Sequence, residues 1–179
     1  TKSHIADPHF TLKVYENRLE DIRYCTRCLQ SCHGTADRMT CVYNPLTSRE
    51  MAWSNLEPAA IKKRVVIVGG GPAGMEAALT ASQRGHEVIV FERDSRVGGQ
   101  IWIGAASPLR KTWARIAEFY ERQAQKGQFD VRTGVAAAAQ DVLGCNPDAV
   151  ILASGSHPNR LILDNHKVWT VHETLAGAA

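Results

Sequence analysis

The chain has 179 residues, of which 44% are hydrophobic and 22% charged, with a formal net charge of +3. That length closes one good core plus an irregular appendage, in a composition ordinary for a globular protein. The mild charge and scattered basic residues exclude a nucleic-acid footprint, and no apolar run nears the roughly 18 residues that span a bilayer.

In chain order, residues 1–24 read as a lead-in. Asp7-Pro8 marks a turn, and Leu12, Tyr15, Leu19 and Ile22 recur at a spacing that predicts one face of a short helix. A cysteine loop occupies 25–41. Residues 42–62, with Asn44-Pro45, Asn55 and Pro58 and little periodicity, read as a linker or a wrapping loop. Regular patterning begins at Arg64. A buried strand over 65–68 leads through a glycine turn to a helix over about 73–84 that ends at Gly85, and Val88-Ile89-Val90-Phe91 forms a second strand. Trp113, Ile116, Ala117, Tyr120 and Ala124 recur at helical spacing with one apolar face. Val131 opens a short strand, and Ala149 to Ala153 is predicted to be a fully buried one. Strands alternating with helices predict an α/β fold, a parallel doubly wound (Rossmann-like) nucleotide-binding domain. It is preceded by an irregular cysteine-rich segment. The expected division is a cluster-binding lead-in and linker over 1–62 and an incomplete dinucleotide-binding domain over 63–179.

Cys25, Cys28, Cys32 and Cys41 fall within 17 residues as C-x2-C-x3-C-x8-C. Thiolates are soft ligands for iron–sulfur clusters and for zinc. A structural zinc site usually presents two C-x2-C knuckles across a longer spacer, whereas here one compact loop would wrap the metal. The spacing favours a 4Fe–4S cluster, with zinc as the alternative and disulfides third. Arg23, Arg27 and Arg38 flank the loop, where their charge would offset that of the thiolates; solvated surface residues are the blander alternative. His33 adjoins Cys32, but four cysteines already complete a ligand set. Cys145 stands apart and reads as a small core residue. The remaining histidines (His4, His9, His86, His157, His166 and His172) show no ligand spacing and read as surface or turn residues. The start Thr1-Lys2-Ser3-His4 has no apolar signal-type stretch, so reduced thiols in a cytoplasmic protein are expected.

Gly69, Gly71 and Gly74 fit G-x-G-x-x-G between a short apolar strand and a helix. The first glycine permits the turn, the second lets backbone approach a pyrophosphate, and the third lets helix and strand pack closely. The pyrophosphate is expected on the helix N-terminus, where unpaired amides and the dipole favour an anion. Glu92 ends the second strand, where a carboxylate accepts hydrogen bonds from ribose hydroxyls and repels a 2′-phosphate. FAD, NAD or ADP is therefore favoured over NADP. A glycine turn serving only tight packing is the alternative.

Together these residues resemble the iron–sulfur flavoprotein family that includes trimethylamine dehydrogenase and 2,4-dienoyl-CoA reductase. The matching stretches are Ile5-Ala6-Asp7-Pro8, Asp21-Ile22-Arg23-Tyr24-Cys25-Thr26-Arg27-Cys28 and the glycine turn. Glu92 with Val97-Gly98-Gly99-Gln100, and Ala153-Ser154-Gly155-Ser156-His157-Pro158, extend the match. The Cys32-to-Cys41 spacer is shorter than usual in that family, and Ser154 stands where a threonine is common. The resemblance implies a 4Fe–4S cluster on the four cysteines. It also implies FAD, or only ADP, on Gly69, Gly71, Pro72, Ala73, Gly74, Glu92, Arg93, Gly99, Gln100, Ser154 and Gly155. It further implies FMN in a TIM barrel ahead of this segment, so the chain is expected to be a piece of a larger oxidoreductase, a homo-oligomer or larger complex. The catalytic residues would lie in that barrel; none is identifiable here. The segment from Gly98 to Trp113 looks closer to demethylase-type relatives, which implies oxidation of an N-methylated amine with an electron-transfer flavoprotein as acceptor. The alternatives are a nicotinamide-dependent 2-enoate or dienoyl-CoA reductase and a non-catalytic electron-transfer subunit.

Overall fold

The structure is a computed structural model and describes residues 1–33, 38–53, 55–159 and 168–177. His166 lies outside them. The lead-in is a set of short turns of helix, α1 (Lys2–Ala6), α2 (Phe10–Tyr15) and a 3-10 turn at Leu19–Asp21. One helix carrying Leu12, Tyr15, Leu19 and Ile22 does not form. Asn17 takes a left-handed φ of 55° and breaks the run, Leu12, Tyr15 and Leu19 are exposed, and only Ile22 is buried. The segment is instead tied together by the buried carboxylate of Asp7. It accepts from His9 N at 3.1 Å, Lys13 Nζ at 2.6 Å and Arg23 N at 2.9 Å. Asp7 thus fixes the backbone just ahead of Cys25. Among the described residues of 42–62, the one helical turn is α3 (Glu50–Trp53). Asn44 Nδ2 and Thr47 Oγ1 both donate to Ile5 O.

The sheet begins at β1 (Arg64–Val68) and continues through α4 (Pro72–Gln83), β2 (Glu87–Glu92), α5 (Gln100–Ala105) and α6 (Ala114–Gln125). β3 (Asp130–Thr133), α7 (Ala139–Gly144), β4 (Ala149–Leu152) and α8 (Val171–Leu175) follow. The described strands are all parallel in the order β3-β2-β1-β4, with Val66 opposite both Ile89 and Val150. The chain winds one way from β1 to β3 and then returns to the other side of β1, so β1 and β4 flank a switch point. β1 and β2 are β-branched runs buried on both faces, as central parallel strands are. Val65, Ile67, Val88 and Val90 pack with Met75, Leu79, Ile116 and Tyr120 of α4 and α6, while Val66, Ile89 and Phe91 pack with Val142 of α7 on the opposite face. Cys145, expected to be a small core residue, is half-buried and packs at the margin of this second cluster.

Helix α4 starts with Pro at its first position and ends in a Schellman cap. Gly85 N bonds Ser82 O at 2.8 Å, His86 N bonds Ala81 O at 3.1 Å, and Gly85 has a φ of +83°. The β4 expectation needs correction. Its apolar run does form a strand, but Val150, Ile151 and Leu152 are exposed. It pairs only with β1 among the described residues, so it is an edge strand, and its side chains join neither core cluster. No helix among the described residues is long and apolar enough to cross a membrane.

Candidate functional site

Three loops meet at the C-terminal ends of β1, β2 and β4, beside the switch point. The glycine turn follows β1, the Gly98-Gly99-Gln100 loop follows β2, and Ser154-Gly155-Ser156 follows β4. Gly98 N donates to Gly70 O at 2.9 Å, Ala153 N donates to Val68 O at 2.8 Å, and Gln100 Nε2 donates to Ser156 O at 2.5 Å. The glycines of the turn have separable roles. At Gly69 (φ +109°) a Cβ would stand 2.2 Å from Ala153 O, and at Gly74 it would stand 1.9 Å from Gly69 O, so packing alone forbids a side chain at either. At Gly71 the φ is an ordinary −70° and a Cβ would meet nothing within 4 Å among the described residues. Packing among those residues gives no reason for a glycine there. The space left open lies at the N-terminus of the 12-residue helix α4, where a dinucleotide pyrophosphate fits and a methyl would intrude. Gly99 borders that opening, with its Cβ position 3.3 Å from Gly71 Cα.

Glu92 is buried and grips the turn from below. One carboxylate oxygen accepts from Gly70 N at 2.7 Å and the other from Asp94 N at 2.8 Å. Each oxygen keeps a further lone pair with which it could accept another donor. Arg93 is exposed beside Asp94, with Nε 3.8 Å from Oδ1. Ser154 and Gly155 are exposed on the far lip, while Pro72 and Ala73 open α4. The turn thus gathers Gly69, Gly71, Pro72, Ala73, Gly74, Glu92, Gly99 and Gln100, with Ser154 and Gly155 opposite and Arg93 turned outward.

The four cysteines are free thiols that line one small pocket together with Thr26 and Tyr43. Two sulfurs already accept backbone amides, Cys25 Sγ from Arg27 N at 3.4 Å and Cys41 Sγ from Tyr43 N at 3.4 Å. No three Cys, His, Asp or Glu side chains among the described residues converge tightly enough to ligate a single metal ion. An all-thiolate set sharing one pocket, with N–H groups aimed at sulfur, suits the chemistry of a cluster that takes four cysteines. His33 is exposed beside this loop.

Residue spacing carries no sign of the buried polar group behind the cysteine pocket. Arg23 is not solvated. Its guanidinium stacks 4.7 Å from the Phe119 ring centroid, reaches Glu76 at 2.8 Å and donates to Tyr43 O at 3.2 Å. Glu76 also accepts from Tyr120 Oη at 2.9 Å. Burial pushes the phenols of Tyr43 and Tyr120 well above the usual tyrosine value, and Tyr43 Oη is buried with no hydrogen-bond partner among the described residues. Arg27 and Arg38, by contrast, are exposed. A second groove, between Lys62, His86, Phe129 and Arg132, lies at the N-terminal ends of β2 and β3. That is the end opposite the one where such sheets bind ligands, and Arg132 is already paired with Asp130 there.

Residues 64–164 match the family model described as FAD dependent oxidoreductase. NADH oxidase of Thermoanaerobacter brockii is 42% identical over 86% of this chain and 24% of its own length. N,N-dimethylglycine/sarcosine dehydrogenase of Chromohalobacter salexigens is 38% identical over 88% of this chain and 24% of its own. Among solved structures, that of 2-naphthoyl-CoA reductase with 2-naphthoyl-CoA superposes with a TM-score of 0.91, at 36% identity, over 99% of this chain and 28% of that one. The chain therefore spans about a quarter of the length of the relatives it matches. With the family model covering the whole sheet and its cradle, the chain belongs to the FAD dependent oxidoreductases, in the iron–sulfur flavoprotein group of dehydrogenases and reductases.

Proposed function

We propose that this chain is the electron-relay portion of an iron–sulfur flavoprotein oxidoreductase, with residues 1–62 holding a 4Fe–4S cluster and residues 63–179 holding FAD, or ADP in its place. One joint observation carries the reading. The helix whose first turn faces the open space over Gly71 also bears Glu76, which is paired to Arg23 beside the cysteine pocket. When bound, the cluster supplies one-electron transfer and the flavins supply hydride and electron chemistry. The chain's own residues bind and orient. The amides of the first turn of α4 meet the pyrophosphate, and Gly71 lets it approach. Glu92 keeps the turn closed by holding Gly70 and Asp94. Cys25, Cys28, Cys32 and Cys41 supply thiolates, and the Arg27 and Tyr43 amides stabilise charge on sulfur.

For the whole protein, oxidation of an N-methylated amine with FMN in a preceding barrel is the reading favoured by likeness to dimethylglycine/sarcosine dehydrogenase. The electron acceptor would then be an electron-transfer flavoprotein. A second reading, nicotinamide-dependent reduction of an enoate or dienoyl thioester, is favoured by likeness to NADH oxidase and 2-naphthoyl-CoA reductase. Full-length protein purified without oxygen should contain about four irons per chain, with FAD and FMN. An N-methylated amine should bleach the flavin anaerobically. Turnover of enoyl thioesters with reduced nicotinamide, and none of amines, selects the second reading. Stoichiometric zinc without iron or sulfide refutes the cluster.

A further inference from the structure

The cysteine pocket and the nucleotide cradle are joined by an ion pair that belongs to neither motif. We infer that Arg23 and Glu76 are positioning residues that set the reduction potential of the cluster held by the four cysteines, Arg23 raising it and Glu76 lowering it. The inference rests on the 4Fe–4S reading above.

The geometry orders the two charges. Arg23 lies two residues before Cys25, and its backbone N–H is fixed on Asp7 at 2.9 Å. Its guanidinium donates to Tyr43 O at 3.2 Å and sits 5.4 Å from the Tyr43 ring centroid. Tyr43 is itself a wall of the cysteine pocket, and its N–H meets Cys41 Sγ at 3.4 Å. The cation therefore stands one residue behind the thiolates. Glu76 stands behind the cation, 2.8 Å from it and bonded to Tyr120 Oη, on the face of α4. Of the two charges, the cation is the one that touches a wall of the cysteine pocket.

Both side chains are held and largely dry, at 17% and 23% exposure, so salt and water screen them weakly. The guanidinium is charged at every working pH. Reduction adds one electron to a centre already carrying four thiolate charges. A fixed cation close by favours that electron, and a fixed anion opposes it. A pair that merely braced the loop would behave differently, because losing either partner would loosen the same contact.

The sign of the shift is the test. In anaerobic full-length protein, the cluster is titrated with dithionite, and its reduced state is followed by electron paramagnetic resonance, with iron and flavin content measured alongside. Arg23→Gln should move the midpoint to more negative potential. Glu76→Gln should move it to more positive potential, and the double variant should return towards the starting value. Cys145→Ser, on the other face of the sheet, should leave it in place. If Arg23→Gln does not accumulate as folded protein, the near-isosteric Glu76→Gln decides alone by its sign. Unmoved potentials at full iron content, shifts of both single variants in one direction, or loss of iron from both would overturn the inference. A starting protein that holds zinc and no iron would overturn the cluster reading, and this inference with it.

Discussion

The glycine turn makes a prediction in which folding and binding come apart. Gly71→Ala places a methyl where no atom of the described residues lies within 4 Å, at a backbone φ of −70° that alanine accepts. Alanine is a poorer N-cap than glycine by about 0.5–1 kcal/mol, but the loss of unfolded-chain freedom offsets about 0.4–1 kcal/mol. The melting temperature of the flavin-free protein should therefore stay within about 2 °C of the parent. FAD binding should weaken by about 1.5–3 kcal/mol, roughly 10- to 150-fold, because the methyl displaces the pyrophosphate from its amides. Gly74→Ala is the converse. Its methyl would lie 1.9 Å from Gly69 O and 3.3 Å from Ala153 Cβ, so α4 must retreat from β1 and β4. Overpacking against backbone costs about 2–4 kcal/mol, or about 5–15 °C in melting temperature. Thermal melting of the flavin-free protein and titration with FAD by flavin fluorescence measure the two effects separately. Wild-type FAD affinity in Gly71→Ala, or a collapse of its stability like that of Gly74→Ala, would refute the claim that the space over Gly71 is kept for a ligand.

Replacing any of Cys25, Cys28, Cys32 or Cys41 by alanine should cost iron occupancy measured by metal analysis, whereas Cys145→Ala should not. Glu92→Gln keeps the shape but loses one of two charge-assisted bonds to backbone amides. It should lower stability by about 1–3 kcal/mol and weaken FAD together with it. Asp21 tests the docking of the lead-in by pH. Burial alone would push its carboxyl up, but the hydrogen bond and charge of Lys126, with Gln123 and Arg18, hold it below the usual carboxylate value. A depressed carboxylate contributes stability above its unfolded value and loses it as pH falls through the folded one. Lys126→Met should therefore flatten the acid side of the stability profile, and a profile identical to the parent would remove the pair from the docking.

What the sequence could disclose follows from how local each signal is. β1 and β2 were legible because central parallel strands are continuous apolar runs, and Gly85 was legible as a helix stop because its left-handed cap is a local demand. β4 shows the limit of the same rule: Ala149 to Leu152 reads like β1, yet strand order puts it at an edge, and order is not written in the run itself. The lead-in periodicity misled for a different reason. Leu12, Tyr15, Leu19 and Ile22 keep helical spacing across Asn17, where the backbone turns left-handed. The site divides the same way. Cysteine spacing and the glycine turn are short motifs, so their residues could be named in advance. Arg23 was visible as a charge beside the loop, but its burial depends on Glu76, 53 positions away, and on Phe119 and Tyr120 further still. The Gln100–Ser156 bridge spans 56 positions and leaves no trace in either motif.

Sequence adjacency alone would not bring the cysteine loop to the cradle, because residues 42–62 are long enough to place it elsewhere. The contacts along α6 supply the direction. Glu20 and Asp21 meet Arg122 and Lys126 near the C-terminal end of that helix, through Glu20 O and the Asp21 carboxylate. Three residues on, Tyr24 lies under the Arg115 guanidinium at 5.3 Å, and Thr26 O accepts from Thr112 just ahead of the helix. The lead-in therefore runs along α6 from its C-terminal end to its N-terminal end. In a parallel α/β sheet the crossover helices run antiparallel to the strands, so their N-termini lie at the strands' C-terminal edge. That edge carries Gly71, Gly99 and Ser154. The lead-in consequently delivers Cys25 and Cys28 to the end of the sheet where the glycine turn opens, as the proposed relay requires.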